Sequence, residues 1–318
     1  MNGKRRWGVG VALLTATILW GCGGGGEGGG RTFLSLGTAG TGGIYYPLGG
    51  AITSLMSVED SLRQYTAEVT GGSVENVNRL KEGQIDLGFA LAVSIHEAFH
   101  GGDDYPQAFP SLRVLAPLYP NVIHILVPRG SGATSLADLR GGTVSVGAAG
   151  SGTEEVSRQL LGIYGMTYED VDARFLTFSE SAASLRDGAI DGAILSVGYP
   201  AAAVLEATTT GGARLLSMEE SRVEALRSRY PYYAPGTIPA KAYADQPEAV
   251  STVAMMNWIV GTENLDGGVV TLLLDILRDR KAELEQVHEM ATQIDLSALP
   301  DAPIPLHPAA QAFLGEGG

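Results

Sequence analysis

From residue 32 onward, short apolar runs alternate with stretches whose apolar positions recur at helical spacing. Leu48, Ile52, Leu55 and Met56 share one face of a helix that Pro47 suits in its opening turn. Val74, Val77 and Leu80 form a second stripe, which Ser73 is expected to cap and Gly83 to stop before a strand over Ile85–Leu91. The order then repeats. Val156, Leu160, Leu161 and Tyr164 make a stripe ended by Gly165. Ser179 or Ser181 then heads a helix through Ala182 and Leu185, and Gly188 stops it before a strand over Ile190–Leu195. Two long apolar stretches, Val114–Val127 and Val253–Val260, follow the first and second units and read as crossings between them. A helical tail begins at Leu265. Strands alternating with helices predict an α/β fold with a mostly parallel sheet, in which ligands gather at the carboxyl ends of the strands.

The two units share more than rhythm. Leu34-Ser35-Leu36-Gly37-Thr38-Ala39-Gly40-Thr41-Gly42 matches Val144-Ser145-Val146-Gly147-Ala148-Ala149-Gly150-Ser151-Gly152. Further on, Leu80-Lys81-Glu82-Gly83-Gln84-Ile85-Asp86 matches Leu185-Arg186-Asp187-Gly188-Ala189-Ile190-Asp191. Two matches in the same order predict two lobes of like design facing across a cleft, with the double crossing as hinge. The expected division puts 32–121 plus 258–318 in lobe I and 122–257 in lobe II.

The amino terminus reads as targeting. Lys4, Arg5 and Arg6 precede an apolar run from Val9 to Trp20, too short for the roughly 20 apolar residues of a membrane span. Residues 1–21 are therefore expected to be a signal peptide. Leu19-Trp20-Gly21-Cys22 resembles a bacterial lipobox, although Trp20 is bulkier than such motifs prefer. Cys22 is the only cysteine, so no internal disulfide is possible and acylation gives the thiol a role. Residues 22–31 then form a lipidated, glycine-rich tether, with Gly23 to Gly30 spanning about 15 Å as random coil. Removing the signal takes away three of 21 basic residues and none of 35 acidic ones, moving the formal charge from −14 to −17. That balance excludes a nucleic-acid partner. It permits an anionic ligand, because local amide dipoles are not reported by net charge.

Candidate chemistry begins with the glycine turns. Gly37–Gly43 and Gly147–Thr153 each lead from a strand into a helix, where bare amides and the positive helix end converge on a place for an anion. The G-x-x-G-x-G spacing is not the dinucleotide fingerprint and no Walker lysine follows, so no cofactor is implied. Glycines serving only a tight turn are the bland alternative. Thr38, Thr41, Tyr45 and Tyr46 beside one turn, and Ser151, Thr153, Ser179 and Tyr199 beside the other, carry hydroxyls able to bond a carboxylate; each is equally a candidate cap or core residue. His96-Glu97-Ala98-Phe99-His100 has the His-Glu-x-x-His spacing of a zinc hydrolase. No histidine follows in the extended pattern, and there is no Gly-x-Ser-x-Gly elbow, so an enzyme is the lesser reading.

These residues together resemble the TAXI family of solute receptors, the extracytoplasmic components of tripartite ATP-independent periplasmic (TRAP) transporters. The resemblance runs through Leu36–Pro47, Thr70–Val77, Gly150–Thr153, Phe178–Ala182 and Pro303–Pro308. It implies a type II periplasmic-binding-protein fold of two α/β lobes joined by a double-crossing hinge, without catalytic activity. It also implies capture of a small anionic organic solute and delivery to a TRAP-type integral-membrane permease. The family's ligand contacts would fall on Thr38, Gly40, Thr41, Gly42, Tyr45, Ser151, Gly152, Thr153, Ser179 and Tyr199. Where the family commonly shows a polar triplet ending in an acid, this chain has Leu91-Ala92-Val93 before Ser94. Ser94 remains as a polar candidate at that corner, and a ligand without an α-ammonium is expected, a keto acid or dicarboxylate over glutamate. A sensory binding protein serving a signalling kinase is a further alternative with the same fold.

Overall fold

The computed structural model describes residues 32–102 and 104–315. The expected signal peptide, Cys22 and the tether lie outside the described residues.

The first unit runs β1 (Thr32–Gly37), α1 (Tyr45–Glu59), β2 (Arg63–Glu68), α2 (Ser73–Lys81) and β3 (Leu87–Leu91). Then come α3 (Ala92–His100) and a long strand, β4 (Leu112–Pro128). The second unit repeats the order as β5 (Thr143–Ser145), α4 (Gly152–Ile163), β6 (Asp172–Arg174), α5 (Phe178–Arg186) and β7 (Gly192–Val197). After α6 (Ala202–Thr209), β8 (Ala213–Leu216), α7 (Glu220–Arg229) and β9 (Ala234–Ile238), a second long strand, β10 (Val250–Thr262), returns across the molecule. The chain ends in α8 (Gly267–Asp279), α9 (Lys281–Val287) and α10 (Pro308–Gly315).

All strands join one sheet, ordered β2-β1-β3-β10-β4-β7-β5-β6, with β8 added to β4 and β9 to β10. β1 pairs in parallel with β2 and β3, and β5 in parallel with β6 and β7, so each half has its first strand in the middle. The two halves are stitched by antiparallel pairing of β3 with β10, β10 with β4, and β4 with β7. The two apolar stretches read as crossings are thus 17 and 13 residues of continuous strand, buried along nearly their whole length. Strands covered on both faces carry unbroken apolar runs, and that is how these read in the sequence.

Helices cover the sheet through two apolar clusters. One gathers Leu48, Ile52 and Met56 of α1 with Leu273, Leu277 and Leu284 of the tail; the other gathers Val77, Ile95, Val156, Leu160 and Leu226. The tail is bound to the first half by an Arg280–Glu59 ion pair and by His307 N–H donating to the Val114 carbonyl at 2.9 Å. Gly83, Gly165 and Gly188 adopt φ of +68°, +66° and +68° just past α2, α4 and α5, the left-handed stop expected of them. Two caps differ from expectation. Gly72 precedes α2, and the Ser73 hydroxyl instead accepts the Leu91 N–H at 3.1 Å. Thr177, not Ser179 or Ser181, caps α5, in a reciprocal box with Glu180.

Candidate functional site

A cavity of about 250 Å³ lies between the halves. Its wall comes from the carboxyl ends of strands in both: Ala39–Tyr45 after β1, Val69–Ser73 after β2, Leu91 at the end of β3, Ala148 and Ser151–Thr153 after β5, Thr177–Ser179 after β6, and Ser196–Val197 on β7. Four helices, α1, α2, α4 and α5, present their first turns to this space. Each helix start carries roughly half a positive charge on unsatisfied N–H groups. α1 and α2 have no side-chain cap, whereas Ser151 and Thr177 cap α4 and α5. Among the described residues, no Asp, Glu, Lys, Arg or His lines the wall. The positive field that the helix starts contribute there comes from backbone groups.

Of the residues singled out in the sequence, Gly40, Thr41, Gly42, Tyr45, Ser151, Gly152, Thr153 and Ser179 line this one space. Thr41 and Ser179 are exposed at its mouth, and Tyr45, Ser151, Gly152 and Thr153 are buried. Four others stand elsewhere. Tyr46 is exposed on α1, outside the wall. Thr38 is fully buried behind the turn, its hydroxyl donating to the Glu68 carbonyl at 2.7 Å. Ser94 lies on α3 with its hydroxyl donating to the buried carboxyl of Glu155, away from the wall. Tyr199 is half-buried ahead of a cis bond to Pro200 and packs on the first core cluster.

The floor holds residues that the sequence did not mark. Tyr45 donates its hydroxyl to Asn257 Oδ1, and burial pushes the pKa of that hydroxyl up, keeping it a neutral donor. Asn257 Nδ2 donates to the Tyr119 carbonyl at 2.7 Å and to Asn121 Oδ1 at 2.8 Å, and Asn121 Nδ2 donates to the Ser196 carbonyl at 2.8 Å. This chain of amides ties β10 to β4 and β4 to β7. A register shift between Met256 and Trp258 brackets Asn257, the local irregularity that re-aims a strand side chain. Asparagine within a long apolar run was the available signal, since a buried amide needs partners.

The rim is closed tightly. Glu75 N–H donates to the Gly150 carbonyl at 2.9 Å, and Ala203 N–H to the Gly42 carbonyl at 3.3 Å. A Cβ on Gly42 would stand 2.5 Å from Ser179 Oγ, one on Gly71 2.7 Å from the Ala149 carbonyl, and one on Gly152 2.8 Å from both Leu91 Cδ1 and Ser73 Oγ. Glycine at these places leaves room for the other half to approach, by side chain at Gly42 and Gly152 and by backbone at Gly71. Behind the cavity, α4 meets α3 through the Ser94–Glu155 bond and the segment after α3 through the Arg158–Asp104 ion pair.

His96 and His100 do lie one turn apart on α3, ring centroids 4.4 Å apart, with His100 Nδ1 2.9 Å from the His96 carbonyl. Among the described residues no group of three His, Cys, Asp or Glu is placed to hold a metal ion. His124 is buried in β4 with Nε2 2.8 Å from the Tyr243 hydroxyl.

Comparison with solved structures places this architecture. The alkanesulfonate-binding protein SsuA of Xanthomonas axonopodis pv. citri, bound to MOPS, superposes with a TM-score of 0.50 at 15% identity, over 86% of this chain and 83% of that one. An ancestral arginine-binding protein bound to arginine gives 0.51 at 14% identity, over 81% and 97%. The substrate-binding protein of an amino acid ABC transporter gives 0.50 at 9% identity, over 80% and 97%. At such identities the likeness is one of fold, the mixed α/β fold with a curled sheet of the periplasmic solute-binding proteins. A family model covers almost all that the two units and the tail comprise, residues 36–318, and by that match the chain belongs to the NMT1-like family.

Proposed function

We propose that this protein is an extracytoplasmic solute receptor that closes two lobes, 32–121 plus 258–318 and 122–257, over a small carboxylate. The observation that carries this reading is the convergence of four helix starts on one cavity without a charged side chain. Free amides there offer an anion short, charge-assisted bonds. The hydroxyls of Thr41, Ser151, Thr153 and Ser179 and the turns Gly40–Gly42 and Gly152 are the proposed contacts. In the proposed cycle the carboxylate docks on the amides of one lobe, and closure then brings the other lobe down upon it. Buried amides are satisfied only with ligand between them, so ligand shifts the population toward the closed form.

No acid lines the wall to meet an ammonium group, which supports a keto acid or dicarboxylate over glutamate. The Leu91-Ala92-Val93 corner supports the same choice. Sulfonate is the competing anion, because SsuA, which shares the fold, is an alkanesulfonate-binding protein. The partner proposed is a TRAP-type permease, on the motif resemblance to TAXI receptors; the amino acid receptor of similar fold serves an ABC transporter. Acylation of Cys22 and the glycine tether would hold the receptor beside its permease and raise its local concentration there.

Native mass spectrometry of freshly purified protein tests the reading. A retained organic acid that exchanges with added 2-oxoglutarate or succinate supports it. Stoichiometric zinc with chelator-sensitive hydrolysis, or retention of a sulfonate in preference to any carboxylate, overturns it.

A further inference from the structure

Ser196 stands on β7 at the floor of the cavity, 3% exposed, and its Oγ is buried without a hydrogen-bond partner. The other groups of the floor network are committed. The Ser196 carbonyl accepts from Asn121, Asn121 Oδ1 accepts from Asn257, and Asn257 Oδ1 accepts the Tyr45 hydroxyl. The Ser196 N–H reaches Thr153 Oγ1 at 3.4 Å. Within this network the Ser196 hydroxyl is left without a partner, on a residue that lines the cavity.

The rest of the wall says which atom that hydroxyl meets. Negative charge is served by the amides of the helix starts, and none of the wall residues is acidic or basic. A serine hydroxyl donates or accepts without carrying charge, and with the amides already serving the anion it is available to a neutral oxygen of the ligand. A buried donor left unpaired by a ligand that lacks the oxygen is a penalty, and such penalties discriminate far more strongly than a lost methylene.

We propose that Ser196 is a specificity-determining residue that reads an oxo or hydroxyl oxygen on the carbon chain of the bound acid, so that the ligand class is oxo or hydroxy acids without an amino group. The inference rests on the carboxylate-receptor reading of the same cavity.

Calorimetric titration of the full mature chain with 2-oxoglutarate, 2-hydroxyglutarate, glutarate and glutamate, and with pyruvate against propionate, tests it on wild type and Ser196→Ala. The wild type is expected to prefer at least one oxygenated acid over its plain counterpart by about tenfold or more. Ser196→Ala is expected to bring that ratio close to one by weakening the oxygenated acid, with the plain acid unchanged and the thermal midpoint of the unliganded protein no lower. Binding of the acids with a ratio that Ser196→Ala leaves intact, or with no preference in the wild type, overturns the role of Ser196 while the receptor reading stands. Binding of none of them by the wild type removes the receptor reading and this inference with it.

Discussion

The N–H of Glu75, in the first turn of α2, donates to the carbonyl of Gly150 in the turn ahead of α4, at 2.9 Å. The bond joins the two halves beside the cavity, and around it glycines let backbone meet backbone. Each proposed step of ligand capture has to make or break this rim.

Gly152→Val is expected to abolish binding while leaving the fold intact. Its Cβ would stand 2.8 Å from Leu91 Cδ1 and 3.0 Å from Ser73 Cβ, both in the other half, so the clash opposes contact between the halves. The measurement is calorimetry beside circular dichroism. Affinity should fall by about fivefold to a hundredfold from overpacking alone, at about 1–3 kcal/mol, and further from the lost backbone approach. Unchanged affinity would mean that the turn serves structure alone.

Asn76 is a stability residue. Fully buried, it donates through Nδ2 to the carbonyls of Gly37, Thr38 and Phe89 at 3.1, 2.7 and 2.8 Å, and accepts from the Thr70 hydroxyl at 2.7 Å. It holds the first glycine turn onto the ends of β1 and β3. Asn76→Ala strands these groups and is expected to cost about 2–4 kcal/mol in urea unfolding, since each buried group left unpaired costs about 1–3 kcal/mol. A loss below about 1 kcal/mol would show that the turn keeps its shape without the amide.

Stability should fall on both sides of neutrality for different reasons. Burial holds the pKa of His124 down at about 4, against about 6.5 in an unfolded chain. Its neutral form is bound by the fold, so this contribution is complete above about pH 6.5 and is lost as pH falls toward 4, about 3 kcal/mol in all. His96, His288 and His307 are also held below the ordinary histidine range by burial, in less enclosed places, and add to that limb.

Burial pushes Glu155 the other way, well above the usual carboxylate range, against a bond from Ser94 and with Asp104, Glu97 and Arg158 nearby. The fold holds its proton, so this stability is complete below the unfolded carboxylate range and declines as pH rises toward the raised value. The decline begins above the unfolded carboxylate range and runs opposite to the histidine contribution, so removing each group separates the two. Glu155→Gln should flatten the alkaline limb and His124→Gln the acid one, read as urea midpoints against pH. Parallel curves for wild type and Glu155→Gln across the whole range above the ordinary carboxylate values would refute the assignment.

Cys22→Ser should release the protein from membranes into the soluble extracytoplasmic fraction, with ligand binding unchanged. Continued membrane association on fractionation would remove the lipid anchor.

Elements that depend on local periodicity were legible. The stripes of α1, α2 and α4, the glycine stops and the duplicated β-α-β-α-β order all follow from spacing within a short window. So was the cavity's wall, because the two glycine turns resemble each other and parallel sheets gather ligands at strand ends. Competition between nearby hydroxyls was not resolved: Thr177 outdid Ser179 and Ser181 because Glu180 stands three residues on and completes the box, a spacing visible in the sequence. Ser94 was misplaced for a different reason. Its partner Glu155 lies 61 positions away on another helix, and no local pattern reports such a pairing. The floor of Asn121, Asn257 and Ser196 escaped notice likewise, since each amide finds its partner through the sheet.

The long strands bear on how such a molecule would move. β4 and β10 run through both halves as a paired ribbon, with no flexible loop between them at which a door could swing. Any parting of the halves would have to be taken up as bending and twisting spread along that ribbon, an elastic deformation that stores energy as it proceeds. Such a molecule would behave less like a hinged box than like sprung tongs, with its rest position set by the same asparagines that pin one blade to the other.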